Sequence, residues 1–406
     1  MVVGSGVIGL CVAYYLLRSG RQVVVLEREE PDGDNCSREN AGMVVPSHFV
    51  PLAAPGVISQ GMRWLLDPES PFWVRPRLSG ALARWGWLFM RHATDAHVKG
   101  VAGLLRDMNL ESRRLFEELE GEGSYGLEQR GLLSLCESEK MLAEEAELAE
   151  AARELGLKAE VCDPKRVAEL DPDVEMKVAG GIWQGDDCHM DPSRFLGEMQ
   201  KRIESMGGEI RFGKMVVGIE NGKVVVEGGE EWEGSDVVVA GGAWSPDMAR
   251  LLGLRLPMQA GKGYSLTLED PAQLPRLCSI LTEAKVAVTP MGKRLRVAGT
   301  MEIGGNELSV NPRRVNGIIK AVGRVFPRFR PEHFDGIDPW AGLRPCSPDG
   351  LPYIGRVPGH DRVMVATGHS MMGLSLGPVT GRMVADLMEG SQSVPGREQL
   401  APGRFS

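Results

Sequence analysis

The sequence predicts an α/β protein in two parts. One is a parallel nucleotide-binding sheet assembled from separated stretches of chain; the other is an antiparallel or mixed sheet flanked by helices. Three observations carry this expectation. Met1–Glu27 reads strand, glycine turn, helix, strand, acid. A further buried strand that ends in glycines, Asp236–Gly242, comes far downstream. Lys262–Leu268 and Lys285–Thr300 read as antiparallel strands, the second turning at Pro290-Met291-Gly292.

In the opening unit Val2 and Val3 end a buried strand, and Gly4, Gly6 and Gly9 spell G-x-G-x-x-G. Gly4 permits the tight turn, Gly6 lets a pyrophosphate approach the backbone, and Gly9 lets the helix pack close on the sheet. The helix begins at Val7 and Ile8 and runs to about Ser19, where Gly20 can end it. Its N-terminus offers free N–H groups and partial positive charge to phosphates. Gln22–Leu26 is the next strand, with Glu27 at its tip to accept ribose hydrogen bonds and Arg28 beside it. The plainer alternative, a glycine turn without a ligand, leaves three glycines and a terminal acid unexplained. The unit is therefore read as the start of a discontinuous Rossmann-like domain.

A chain of 406 residues allows one large or two medium domains. The net charge of −9, with no basic stripe, argues against nucleic acid as a partner. No apolar run approaches a membrane span, and no secretory signal is expected ahead of the glycine turn. The seven cysteines are widely spaced without C-x-x-C. That suits a reducing, cytoplasmic setting and argues against zinc or a disulfide frame.

After the polar loop Arg28–Cys36, Ser37, Asn40, Ala41, Gly42 and Met43 lead into Val44, Val45 and Pro46. A small polar loop this far beyond the ribose acid fits a cofactor longer than NAD, so the spacing leans toward FAD. Pro51 to Arg91 is rich in aromatics and prolines; Trp64, Trp73, Trp85 and Trp87 are half of the eight tryptophans. Ala81–His92 has two readings: a helix packed on the second domain, or an interfacial membrane contact or quinone approach. Amphipathic helices are expected over Leu104–Gly121 and Ser138–Gly156. Asp191-Pro192 signals a helix start, and Asn221-Gly222 a hairpin. Arg313–Val325 and Gly377–Met388 complete the helices, with the strand Arg362–Thr367 ahead of a loop, Gly368–Pro378.

The opening turn, SRENAG, VVVAGGAW, GLRPCSPDGLPYIGR and ATGHSMMGLSLGP together resemble the D-amino-acid-oxidase superfamily of FAD-dependent amine oxidoreductases. KGYSLT, RVAGTMEI and AAPGV are similar to the D-amino-acid dehydrogenase small-subunit branch. The resemblance spans almost the whole chain. It implies that Gly4, Gly6, Gly9 and Glu27 hold the ADP half of FAD, with Val7, Ile8, Arg28, Gly241 and Gly342 among the cofactor contacts. It implies that Ser37, Asn40, Ala41 and Gly42 lie along the diphosphate and under the flavin. Gly368, His369, Met372, Gly373 and Leu374 would sit at the flavin's pyrimidine edge. Arg344 takes the place of the family's G-x-R-P arginine. Cys346 does not match the covalent cysteine position of sarcosine oxidases, so non-covalent FAD is expected.

The chemistry of amine oxidation asks for the same residues. A carboxylate is best held by a planar guanidinium fork. Arg344 is the candidate clamp, against a surface or phosphate role. Tyr264 is expected to add a second carboxylate bond, unless it is an ordinary strand aromatic. His369 either donates to the flavin or caps its loop. His48 and Met43 are expected to line the pocket. No dedicated general base is required. Asp187, His189 and Asp191 are read as caps and surface groups rather than metal ligands.

The expected activity is FAD-dependent oxidation of a D-amino acid, with electrons passing to a quinone or other carrier. Two alternatives remain: an oxidase of glycine, sarcosine or a cyclic imino acid that releases peroxide, and a non-catalytic flavoprotein subunit. The expected division assigns 1–46, 191–247 and 336–406 to the FAD-binding part, and 47–190 and 248–335 to the substrate part. Localisation is expected to be cytoplasmic, or peripheral on the inner face of the cell membrane.

Overall fold

The computed structural model describes all residues except 32, 34, 58, 60, 62–68, 221 and 392–393. Trp64 and Asn221, read above as part of the aromatic stretch and of the hairpin turn, lie outside the described residues.

Valine-rich strands make a six-stranded sheet in the order Tyr353–Val357, His360–Thr367, Val237–Val239, Val2–Val3, Val24–Leu26, Glu209–Arg211. Five of these pair in parallel; only the hairpin Tyr353–Val357/His360–Thr367 is antiparallel. Successive residues point to opposite faces, and both faces are buried. Val2, Val25 and Val238 pack against the helices Val7–Arg18, Pro192–Ser205 and Gly377–Glu389. Val3, Leu26, Val237 and Val239 pack against Val216–Glu220, Lys223–Val226 and Ser245–Leu251. The nucleotide-binding part is thus three layers, gathered from three separated regions of chain.

The second sheet has nine strands. Along it lie Trp340–Cys346, Gln259–Leu268, Arg294–Ile303, Val286–Met291, Cys278–Leu281, Leu132–Cys136, Gly180–Gln184 and Ala159–Cys162, with Phe72–Val74 beside Arg294–Ile303. It is mixed, because the pairs Cys278–Leu281/Leu132–Cys136 and Phe72–Val74/Arg294–Ile303 are parallel. One face buries Tyr264, Val288, Val297 and Leu281 under the helix Pro312–Val325, which supplies Val315, Ile318 and Val322. On the other face Trp340, Ser265, Ala298, Ala287, Ile280 and Ser134 form a row of cross-strand partners. That row lines the cavity and is the floor of the site.

The helix expected from Leu104 starts earlier, at Asp95, because Thr94 caps it by accepting from His97 N at 3.2 Å. Its Leu105, Met108 and Phe116 join the core of the six-stranded sheet, while Trp340–Cys346 belongs to the nine-stranded one. Both elements therefore pack across the division expected from sequence. In the helix Gly80–His92, Trp85, Leu88 and Phe89 are buried while Trp87 and Met90 remain 52% and 56% exposed. Among the described residues no helix is long and apolar enough to cross a membrane.

Candidate active site

A cavity of about 1290 Å³ runs between the two sheets. Drug-sized sites are usually about 300–1,000 Å³, so this one has room for a dinucleotide and a small substrate together. Its nucleotide end is built by the opening turn. Gly4 has φ 105°, and a Cβ there would strike the Ala240 carbonyl at 2.6 Å. A Cβ on Gly9 would overlap the carbonyl oxygen of Gly4, so only glycine lets the helix sit this close to the strand. Gly6 faces the cavity, and the helix start has no side-chain cap. Val7 N donates to Ser37 Oγ at 3.0 Å, which brings the second loop onto the turn. Glu27 is held by backbone donors: Ser5 N reaches Oε2 at 2.6 Å and Glu29 N reaches Oε1 at 3.1 Å. Each oxygen keeps a lone pair for a ribose hydroxyl. The Arg28 guanidinium stacks on the Trp244 ring at 3.7 Å, and both line this end.

The loop 37–42 is fastened from below. Arg296 is 2% exposed, and its Nη1 donates to the carbonyls of Arg38 at 2.8 Å and Asn40 at 2.9 Å. Its Nη2 meets Glu39 at 2.8 Å and its Nε donates to Thr267 at 3.0 Å. The loop at the opposite end is tied to the strand Trp340–Cys346, since Ser370 N donates to the Pro345 carbonyl at 2.9 Å.

The floor carries Arg344. Trp340, Gly342 and Arg344 alternate along one strand and line the cavity. The opposing strand is bulged where Gly263 meets the Thr300 region, and Thr300 is turned to φ 71°. A β-branched residue rarely adopts that conformation; bulges beside sites commonly re-aim a group. Here the bulge aims the Thr300 carbonyl at Arg344 Nη1, 2.7 Å away. Among the described residues no carboxylate pairs with Arg344, and burial lowers its pKa from the usual arginine value. Ser265 Oγ and Trp340 Nε1, buried beside it, have no hydrogen-bond partner among the described residues. A guanidinium without an anion and two unpartnered donors suit a polar, anionic ligand.

A glycine cradle, a backbone-held acid and a long cavity fit the adenine dinucleotide part of FAD. A sequence model described as FAD dependent oxidoreductase matches residues 1–387. The chain belongs to this family. It is 32% identical over 418 residues to a D-amino acid dehydrogenase of Paramagnetospirillum magneticum, covering 100% of this chain and 98% of that protein. The D-amino acid dehydrogenase of Xanthobacter autotrophicus is equally similar, at 32% over 100% of this chain and 99% of its own. Among solved structures, glycine oxidase from Geobacillus kaustophilus superposes with a TM-score of 0.79 at 22% identity, covering 100% and 98% of the two chains. This FAD-dependent oxidoreductase therefore shares its fold with that glycine oxidase.

Most residues expected at the FAD site line the one cavity: Gly4, Gly6, Val7, Ile8, Glu27, Arg28, Ser37, Asn40, Ala41, Met43, Gly241, Gly342, Met372, Gly373 and Leu374. Gly9, Gly42 and Gly368 shape it from behind. Gly42 and Gly368 have φ 76° and 80°, and a Cβ would strike the Met190 carbonyl or the Tyr353 ring. Met43 is buried in a short strand paired with His189. His48 lines the cavity.

The bonds of Tyr264 and His369 favour one of the two readings given to each, and the surface reading of Asp187 and His189 needs correction. Tyr264 lines the cavity, but its hydroxyl is engaged elsewhere. Strand alternation turns it to the helix side, where it donates to Glu302 at 2.5 Å and accepts from Asn311 N at 3.1 Å. His369 lines the cavity, but its Nε2 is shared with Thr380 Oγ1 at 2.9 Å, so it ties the loop to the last helix. Asp187 and His189 are 1% and 2% exposed and thus not surface groups; Asp191 does cap the helix at Pro192, accepting from Ser193 N at 3.0 Å. The sequence reading missed Trp244, Trp340 and Arg296. Trp340 carried a signal, standing two residues ahead of Gly342 on the clamp strand. Arg296 carried none, because its partners are distant loop carbonyls.

Proposed function

We propose that this chain oxidises the amine of a D-amino acid to an imine, which water converts to a 2-oxo acid and ammonia. Electrons then leave to a quinone or another carrier. FAD, when bound, supplies the hydride acceptor. The chain's own residues bind and orient the substrate. Arg344 holds the carboxylate in its planar fork, and Gly263 and Gly342 keep the space beside it open. Trp340 Nε1 and Ser265 Oγ offer further donors. The observation that carries this reading is Arg344: a cavity-facing guanidinium bonded to one backbone carbonyl, with no carboxylate partner among the described residues. The relatives' names support the D-amino acid class. In this reading 1–46, 191–247 and 336–406 hold FAD, with Trp340–Cys346 lending the clamp to the substrate part, 47–190 and 248–335.

Anaerobic mixing of the holoenzyme with both enantiomers of an amino-acid panel tests it. D-isomers should bleach the flavin absorbance and L-isomers should not. Bleaching by no amine at all would favour a non-catalytic subunit. The likeness to glycine oxidase keeps a second reading open, an oxidase of glycine, sarcosine or a cyclic imino acid. Rapid reoxidation by air, with peroxide formed, would select it over the dehydrogenase. The exposed Trp87 and Met90 near Arg84 and Arg91 support peripheral contact with an anionic membrane. Co-sedimentation with anionic vesicles checks that contact.

A further inference from the structure

Beneath the cavity wall, Asp187 is 1% exposed, and its carboxylate receives two bonds from one residue. Ser47 N donates to Oδ1 at 2.9 Å and Ser47 Oγ donates to Oδ2 at 2.6 Å. The same Ser47 Oγ lies 3.2 Å from His48 Nδ1. A hydroxyl has one proton, and while Asp187 is ionised the carboxylate takes it. Ser47 can then only accept from His48. This fixes the imidazole proton on Nδ1 and leaves Nε2 with its lone pair. Among the described residues Nε2 has no hydrogen-bond partner, and His48 lines the same cavity as Arg344.

We propose that His48, Ser47 and Asp187 form a proton relay that takes a proton from the substrate ammonium and stores it on the buried carboxylate. The proposal rests on the amine-oxidising reading above and adds a proton acceptor to it. One N–H bond of the ammonium breaks as Nε2–H forms. The Nδ1 proton passes to Ser47 Oγ, and the Ser47 hydroxyl proton passes to Asp187 Oδ2. The ammonium becomes a neutral amine and the carboxylate a carboxylic acid, so charge and protons balance without an oxidant. Oxidation of the carbon needs the amine lone pair, and the relay frees it within the cavity. His48 and Ser47 are the conduit; Asp187 is the store.

The surroundings suit these roles. Burial pushes the Asp187 carboxyl up to about 7, close to a working pH. The two bonds from Ser47 pull it back down, Asp186 raises it and Arg113 lowers it; the buried thiols of Cys188 and Cys278 are neutral neighbours. Burial, with Lys285 nearby, holds His48 down to about 4, so it passes a proton rather than keeping one.

The test is the pH dependence of anaerobic flavin reduction by a bleaching amine. In the parent, reduction should rise through a midpoint near Asp187's, about pH 7. Ser47→Ala cuts the relay. The midpoint should then move up by about one pH unit or more, toward the ammonium's own value, while the high-pH limit is kept. Ser47→Thr keeps the hydroxyl and should restore the parent midpoint, which separates the relay from packing. Loss of the Ser47 bond also raises the Asp187 carboxyl, so Asp187→Asn, which has no carboxyl left to shift, is the deciding arm and should move the midpoint up as Ser47→Ala does. If amines bleach the parent and all variants share its midpoint, the relay is wrong and the functional reading stands. If no amine bleaches the parent, both fall together.

Discussion

The guanidinium of Arg344 occupies the space that a side chain on Gly263 would need. Gly263 pairs across the strands with Gly342, and the two glycines leave a bare patch where a planar fork can lie. A methyl at Gly263 would meet only the far end of a flexible side chain, so the fold should tolerate it while the fork is displaced. Gly263→Ala should keep FAD bound. It should raise KM about 10–100-fold, the effect of losing one charge-assisted pair. Steady-state kinetics on holoenzyme checks this; an unchanged KM would place Arg344 outside the substrate site.

Arg344→Lys keeps the charge but replaces the fork with a point charge. It should also leave the bond to Thr300 weakened and the flavin bound. KM should rise strongly with flavin content unchanged by absorbance. Normal turnover by Arg344→Ala would overturn the clamp.

Tyr264→Phe separates the two placements of that phenol. Its hydroxyl joins Glu302 to Asn311 beneath the sheet, away from Arg344. Removing it leaves buried polar groups unpaired and should cost about 1–3 kcal/mol of stability. KM should not change. A lower Tm at constant KM is the expected pair of results.

His369 gives the protein an acid-sensitive contact. Burial lowers its pKa to about 3, and it is neutral in the fold. Above about pH 6.5 neither the folded nor the unfolded state holds the proton. Below that, the unfolded chain takes up a proton the folded chain refuses, so stability falls with pH down toward 3. Asp187 acts with the opposite sign, since its folded state keeps a proton that the unfolded chain releases above about pH 4. His369→Gln retains a partner for Thr380 and removes one proton from the balance. Between pH 4 and 6.5 its stability should decline less steeply than the parent's, by about 1.4 kcal/mol per pH unit. Urea titrations across that range measure it.

The sequence made the nucleotide half legible because its signals are local. Gly4, Gly9 and Glu27 each answer a steric or charge need within one strand–helix–strand unit. Arg344 was legible through its motif. Tyr264 stays open between two readings in the sequence because only the observed alternation says which face a strand residue takes. The helix Asp95–Glu122 was started late because its first turns hold glycines, and a single cap at Thr94 outweighs them. Asp187 looked exposed because its burial depends on Ser47, far away in the chain.

Arg296 shows what such long-range pairing does for the cofactor. Its guanidinium, 2% exposed, bonds the carbonyls of Arg38 and Asn40 and the Glu39 carboxylate. Three consecutive residues of the loop 37–42 thus hang on one side chain of the second sheet. A lysine can replace one of these bonds but not the planar set. Arg296→Lys should loosen the loop, and FAD affinity should fall about 10-fold, the size of one net hydrogen bond. The Tm of apoprotein should fall far less than that of holoenzyme, because the loop has less to hold without the cofactor. Flavin fluorescence titration and paired melts test both. Equal losses in the two melts would mean that Arg296 serves the sheet rather than the loop.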